Sequence, residues 1–298
     1  MSPEIAVLEI QGQYRVHTEC YRSQVAEQTV ILVNGSLATT ASFAQAVRNL
    51  HPQFNVVLYD PPYAGRSRPH NRHERLIGKQ DEAQVLLELI GHFHADHVLS
   101  FSWGGACTLM ALAHRPRTIQ TAVISSFSPV INAAMHDYLE RGSAYLASVD
   151  RPRIGQLIND TIGQHLPALF KRFNHRHVSS LDDHEYEQMH FHIQQMREHD
   201  LQIALHNARH IEIPVLFING TRDDYATVSD ARQFTRHVRN SRFSVIQEAG
   251  HFLEMEHKAA SDETRRVLLE FLLPTQRDYR SRAAVRDTAF NAGHVLAL

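Results

Sequence analysis

Val98-Leu99-Ser100-Phe101-Ser102-Trp103-Gly104-Gly105 is the stretch on which the reading of this chain turns. Four residues of strand character lead into a serine set among small residues. A helix-patterned segment follows, in which Ala106, Cys107, Leu109, Met110, Leu112 and Ala113 are apolar nearly all round, as a buried central helix should be. A sharp strand-to-helix turn here lifts the Ser102 hydroxyl clear of the backbone, the nucleophile elbow usually written G-x-S-x-G. The first glycine is Ser100 in this chain, and serine keeps most of the room the turn needs. The pattern also fits an ordinary tight turn that happens to hold a serine, so its meaning rests on what surrounds it.

Outward from that turn, the chain alternates. Apolar runs at Thr29 to Val33, Asn55 to Tyr59, Val98 to Phe101, Thr121 to Ser125, Pro214 to Ile218 and Phe243 to Gln247 suit strands buried on both faces of a mainly parallel sheet. Helix-period stretches lie between them, with Ala83, Leu86, Leu87 and Ile90 marking one face. Alternating strands and helices predict an α/β fold with a doubly wound sheet. Residues 129–209 break the pattern with helical patches at Met135 to Tyr145, Ile154 to Ile162 and Glu185 to Arg197, and no convincing strand. An insertion of that size reads as a helical cap over the site. The expected organisation is therefore core 1–128, cap 129–209, core 210–273 and a polar tail 274–298.

Composition narrows the function classes. The 298 residues are 43% hydrophobic and 21% charged, with a formal net charge of −2, which argues against a dedicated nucleic-acid binder. Two cysteines, Cys20 and Cys107, are too few for a disulfide framework and predict a reducing compartment. Met1-Ser2-Pro3-Glu4-Ile5 has no basic start, and no apolar run approaches the roughly 20 residues a membrane span needs, so a cytoplasmic protein is expected.

A nucleophilic serine needs a base, the base needs an orienting acid, and the oxyanion needs donors. After Pro214 to Ile218 comes Asn219-Gly220-Thr221-Arg222-Asp223, and after Phe243 to Gln247 comes Ala249-Gly250-His251. Ser102, Asp223 and His251 thus end three different strands, where open α/β sheets place their sites, in the chain order of α/β-hydrolases. Each has a plainer reading. There are 22 histidines, most of them necessarily structural, and Asp223 or its neighbour Asp224 could cap the helix near Thr227. The G-x-x-D spacing selects Asp223. The backbone amide of Trp103, next after the nucleophile, is one expected oxyanion donor. The amide of Ser36, in the loop Asn34-Gly35-Ser36-Leu37, is the other.

Asn34-Gly35-Ser36, Asp60-Pro61-Pro62-Tyr63-Ala64-Gly65-Arg66-Ser67, the Ser102 elbow, Gly220 to Asp223 and Gly250-His251 together resemble the successive signature blocks of the α/β-hydrolase superfamily. At a closer level Leu32 to Phe43, Phe54 to Leu58, Phe101 to Gly105 and Asp230-Ala231-Arg232-Gln233-Phe234 resemble the bacterial (R)-3-hydroxyacyl-ACP:CoA transacylases that link fatty-acid synthesis to polyhydroxyalkanoate formation. The chain is more distantly similar to the synthase that joins two 3-hydroxyacyl units into the lipid part of rhamnolipids. The resemblance runs nearly to Leu273. It implies a Ser102, Asp223 and His251 triad and a medium-chain 3-hydroxyacyl thioester on acyl carrier protein (ACP). It also implies an acyl-serine that passes to CoA, to water or to a second hydroxyacyl unit, and those three outcomes stay open. CoA would enter as co-substrate, with no bound cofactor.

ACP is acidic, so a basic surface near the mouth is expected. Arg66, Arg68, Arg72, Arg75 and Lys79 in one loop, and Arg151, Arg153, Lys171, Arg172 and Arg176 in the cap, are candidates, although solvated charged faces look the same in sequence. Arg66, Arg68 and Arg172 are the principal carrier-binding candidates. Two further motifs compete. His177 to Asp182 fits an H-x4-D acyltransferase pattern, as do His257 and Asp262; His177, in the cap, is retained as a substrate-contact candidate. His92-Phe93-His94-Ala95-Asp96-His97 spells the ligand run of dinuclear metallohydrolases. It precedes the strand that delivers Ser102, however, and so belongs at the opposite edge of the sheet, and no metal is expected.

Overall fold

The computed structural model describes residues 2–72 and 75–273, so the expected tail 274–298 lies outside the described residues. Eight strands form one sheet: β1 (Glu4–Ile10), β2 (Tyr14–Tyr21), β3 (Thr29–Val33), β4 (Asn55–Tyr59), β5 (His97–Phe101), β6 (Thr121–Ser125), β7 (Val215–Gly220) and β8 (Ser241–Ile246). Their order is β1-β2-β4-β3-β5-β6-β7-β8. Strands β3 to β8 are parallel, while β1 and β2 form an antiparallel hairpin whose second strand pairs with β4.

The apolar runs are continuous because both faces of the parallel strands are covered. Val30, Leu32, Val56, Leu58, Val123, Leu216 and Ile218 point to one face, beneath α1 (Ala44–Leu50) and α10 (Lys258–Leu272). Their neighbours Ile31, Val33, Val57, Val98, Ala122, Ile124 and Phe217 point to the other. That face is covered by α2 (Lys79–Phe93), α3 (Gly104–Ala113) and α8 (Leu201–Ala208). Leu86, Leu89 and Leu109 are fully buried there, each contributing on the order of 1.5–3 kcal/mol. The hairpin carries little sequence signal. Its first strand is exposed along most of its length and carries no clean alternation, although Tyr14-Arg15-Val16 after Gln11-Gly12-Gln13 does show a turn followed by apolar alternation.

Between β6 and β7 lie α4 (Ala133–Ala147), α5 (Arg151–Asp160), α6 (Ala168–Ser180), α7 (Asp183–Gln195), a π-type turn at Met196–Asp200 and then α8. Helix α4 packs on α5 and α7, and α5 packs on α6, whereas α8 packs on α3 at the flank of the sheet. The starts are capped by side chains: Asn132 accepts from the Met135 amide, Asp150 from Arg153, and Asp182 from Glu185 in a reciprocal capping box. Helix α6 escaped the sequence reading because Val178 is its one buried residue among those described, leaving no apolar stripe to detect. A short helix, α9 (Val228–Ala231), follows β7, with Thr227 as its cap.

Candidate active site

Register brings the site together. In the paired strands Val33 sits opposite Ser100, Phe101 opposite Ser125 and Ser125 opposite Ile218, so the carboxyl ends of β3, β5, β6 and β7 finish level with one another. At the end of β5 the chain turns through Ser102, whose φ of 51° lies in the left-handed region that side chains rarely occupy. The turn is held by the Ser102 amide donating to Ser125 O at 2.8 Å and the Gly105 amide donating to Ser102 O at 2.8 Å. Helix α3 begins so close to the β3 loop that a Cβ at Gly104 would lie 2.4 Å from Asn34 O, which explains that glycine. Ser100 is fully buried beneath the turn and takes the place of the usual glycine without opening it.

His251, after β8, points its Nε2 at Ser102 Oγ, 3.0 Å away, and its Nδ1 at Asp223 Oδ2, 2.9 Å away. Both partners are out of water, His251 at 2% and Asp223 at 4% exposure. Burial pushes the Asp223 carboxyl up, but the His251 ring and the amides of Ala226 and Tyr225 outweigh it and hold the group below its ordinary value. Asp223 Oδ1 accepts those two amides at 3.0 and 2.9 Å, which fixes the carboxylate plane. Asp224, by contrast, is exposed, and its backbone oxygen accepts from Asn132. The helix-capping alternative for the acid falls to Thr227.

Supporting residues complete the arrangement. Glu256 accepts the Gly250 amide at 2.6 Å and the Phe252 amide at 3.0 Å, clamping the loop on both sides of His251. Ser126 Oγ donates to His251 O at 2.6 Å. Asp60, fully buried, accepts the Thr40 amide at 2.7 Å and the Arg66 amide at 2.8 Å and so shapes the loop after β3. No spacing rule in a single sequence singles out Glu256 or Ser126, whereas Asp60 opens one of the signature blocks quoted above.

The Ser36 and Trp103 amides lie on the two segments that meet at Ser102: a Cβ at Gly35 would stand 3.1 Å from Ser102 Cβ. Among the described residues neither amide donates to a protein acceptor. His177 leans down from α6, its Nε2 bonded to Leu37 O at 2.8 Å, which joins the cap to that loop. It does not pair with Asp182, which caps α7 and binds Arg68 across to the core.

The basic residues divide. Lys79 is not a surface group: it is buried, with Nζ 2.8 Å from Glu82, because α2 begins beneath the cap. This corrects its inclusion in the docking surface. Arg68 is tied to Asp182, Arg75 to Asp81, Arg151 to Asp183 and Arg153 to Asp150. Arg66 is 62% exposed and reaches Glu19 at 3.2 Å. Arg172 is exposed on α6. In the His92 to His97 run, Asp96 accepts the Thr29 amide and Gln120, and His97 bonds Thr121, all at the amino ends of the strands and far from Ser102. Among the described residues no cluster of three or more potential metal ligands occurs.

Comparison with known proteins agrees with this architecture. Residues 28–258 match the family described as the alpha/beta hydrolase fold. The chain is 70% identical to the (R)-3-hydroxydecanoyl-ACP:CoA transacylase of Pseudomonas putida, over 95% of this chain and 96% of that protein. It is 57% identical to the protein of the same name from Pseudomonas aeruginosa, over 92% of this chain and 91% of that one. Among solved structures it superposes on the enol-lactonase from Burkholderia xenovorans LB400 with a TM-score of 0.73 at 16% identity, covering 90% of this chain and 99% of the other, a likeness of fold alone. The chain belongs to the α/β-hydrolase fold family and, within it, to the family of those Pseudomonas transacylases.

Proposed function

We propose that this chain moves a medium-chain (R)-3-hydroxyacyl group from ACP to CoA through an ester on Ser102. The observation that carries the reading is the 3.0 Å contact between Ser102 Oγ and His251 Nε2, in a chain so close to relatives bearing the transacylase name. His251 takes the Ser102 proton as Oγ attacks the thioester carbonyl, and Asp223 steadies the imidazolium that forms. The carbonyl oxygen becomes an oxyanion between the Ser36 and Trp103 amides, each worth about 3 kcal/mol to the transition state. Collapse breaks the carbon–sulfur bond, His251 returns its proton to the departing carrier thiol, and the acyl group remains on Ser102. CoA thiol then gives its proton to His251 and attacks the ester carbonyl; collapse breaks the bond between the acyl carbon and Ser102 Oγ, His251 returns the proton to Oγ, and acyl-CoA departs. No bound cofactor enters these steps.

The carrier is read as docking on α6. Its outer face shows Arg172 and Arg176 beside Leu169 and Phe173, which are 50% and 54% exposed, and the helix holds no acidic residue. An acidic partner with apolar spots suits that mixture. The reading places the protein in the cytoplasm, where ACP and CoA meet. Its two cysteines are free and buried, and no described helix is long and apolar enough to cross a membrane.

The experiment is incubation with 3-hydroxydecanoyl-ACP, with and without CoA, with products identified by mass. Acyl-CoA that forms only when CoA is present, and an acyl adduct on Ser102 that Ser102→Ala lacks, are the expected results. Free acid as the sole product would make the chain a thioesterase, and a dimeric ester would make it a synthase; either defeats the reading.

A further inference from the structure

Two cavities flank the carboxyl end of β5, one on each side. Toward β6 and β7 the first is lined mainly by apolar side chains, among them Trp103, Phe127, Met135, Met196 and Leu201. Toward β3 and β4 the second is lined by Ser36, Leu37, Tyr63, His177, Glu185 and His192. It is the more polar of the two, and it holds an unmet hydrogen bond. Ser36 Oγ is shut off from solvent and, among the described residues, has no hydrogen-bond partner. A hydroxyl left so is a cost of folding that a ligand oxygen can repay.

The neighbouring ring is prepared in the same sense. His192 is buried and its Nε2 meets Ile77 O at 2.7 Å. Burial first, then the nearby Lys79 ammonium, pushes its pKa down to about 4, so the ring is neutral; its Nε2 also meets the Gln188 side-chain nitrogen at 3.0 Å.

The substrate's geometry supplies the rest. In a 3-hydroxyacyl thioester the hydroxyl stands two carbon–carbon bonds from the reacting carbonyl. Once that carbonyl sits between Ser102 Oγ and the amides of Ser36 and Trp103, the third carbon must lie beside the loop after β3. There its two substituents part company, a hydroxyl and an alkyl tail. The polar cavity lies on one side of β5 and the apolar cavity on the other. Inverting the configuration at that carbon exchanges the places of hydroxyl and tail, and so turns the hydroxyl away from Ser36 Oγ.

We infer that the Ser36 side chain determines specificity: its hydroxyl bonds the 3-hydroxyl of the (R) substrate in the cavity it shares with His192. The inference rests on the function proposed above and adds to it the group that reads the hydroxyl and its hand. It assigns Ser36 two separable contributions, since the backbone amide survives Ser36→Ala and the hydroxyl does not.

The test measures kcat/KM of the full chain and of Ser36→Ala with (R)-3-hydroxydecanoyl-ACP, its (S) enantiomer and decanoyl-ACP, using CoA as acceptor. The parent should favour the (R) substrate over decanoyl-ACP by about tenfold or more, as a site built to bond a hydroxyl does. Ser36→Ala, with an unchanged melting temperature, should bring that ratio and the (R)/(S) ratio close to one. Equal losses with all three thioesters, as a serine binding the pantetheine arm would give, overturn the inference, and so does a parent that does not distinguish them. If the parent turns over none of the three, the underlying function fails, and the inference goes with it.

Discussion

His251 can act only if its ring is held, and at the residue scale the holding is done by Asp223 and Glu256. Asp223→Asn keeps the size of the side chain but removes the charge that orients the ring and favours the imidazolium. It should lower kcat by about 10³–10⁴ with little change in fold, measured by steady-state transfer and by circular dichroism. Ser102, Asp223 and His251 were legible in the sequence because the chemistry demands those residue types at strand ends. Glu256 was not, since its two bonds to the Gly250 and Phe252 amides are made through space by a loop that no pattern marks. A different, half-buried acid sets a pH dependence of stability. Burial pushes Glu254 from 4.5 up to about 7, against the opposing influence of Asn49 and Arg48. Between those values the native chain holds a proton that the unfolded chain has lost, so stability falls as pH rises from about 4.5 to 7. Glu254→Gln should remove that decline and raise stability at pH 8 by on the order of 2 kcal/mol, checked by denaturant titration across pH.

At the scale of elements, β3 to β8 were readable because a parallel strand covered on both faces spells a continuous apolar run. Helix α6 was not, because a helix that turns most of its surface outward has no stripe to betray it. The same feature gives it a use. Arg172→Glu together with Arg176→Glu should raise KM for the ACP-bound substrate about tenfold at low salt, with a smaller change in kcat. The gap between variant and parent should shrink toward 1 M salt, where charges are screened within about 3 Å. A variant whose KM matches the parent's at low salt would take α6 out of carrier docking. The exposed pair Leu169 and Phe173 lies on that same face and belongs to the same test.

At the scale of the whole molecule, helix α7 is fastened to the segment before α2 by buried polar bonds. Gln188 of α7 both accepts the Ile77 amide at 2.9 Å and donates to Ile77 O at 2.8 Å. Beside it Lys79 and Glu82 form a buried pair, with Tyr63 donating to Glu82 at 2.7 Å. Removing one charge strands the other: Lys79→Met alone should cost about 3–5 kcal/mol in chemical denaturation, and adding Glu82→Leu should recover most of it. Lys79 read as a surface cation in sequence because charge is a property of the residue and burial is a property of the fold. The sequence by itself determined the strand-and-helix alternation, since backbone periodicity is written locally, and it marked Ser102, Asp223 and His251 as candidates by their places at strand ends. Only the tertiary structure decided which arginines stay exposed, which carboxylate clamps the histidine loop, and how two cavities of differing polarity come to lie on either side of β5. Those depend on side-chain contacts that exist only after the chain has folded, some of them local, as Glu256 to Gly250, and others between distant segments, as His177 to Leu37.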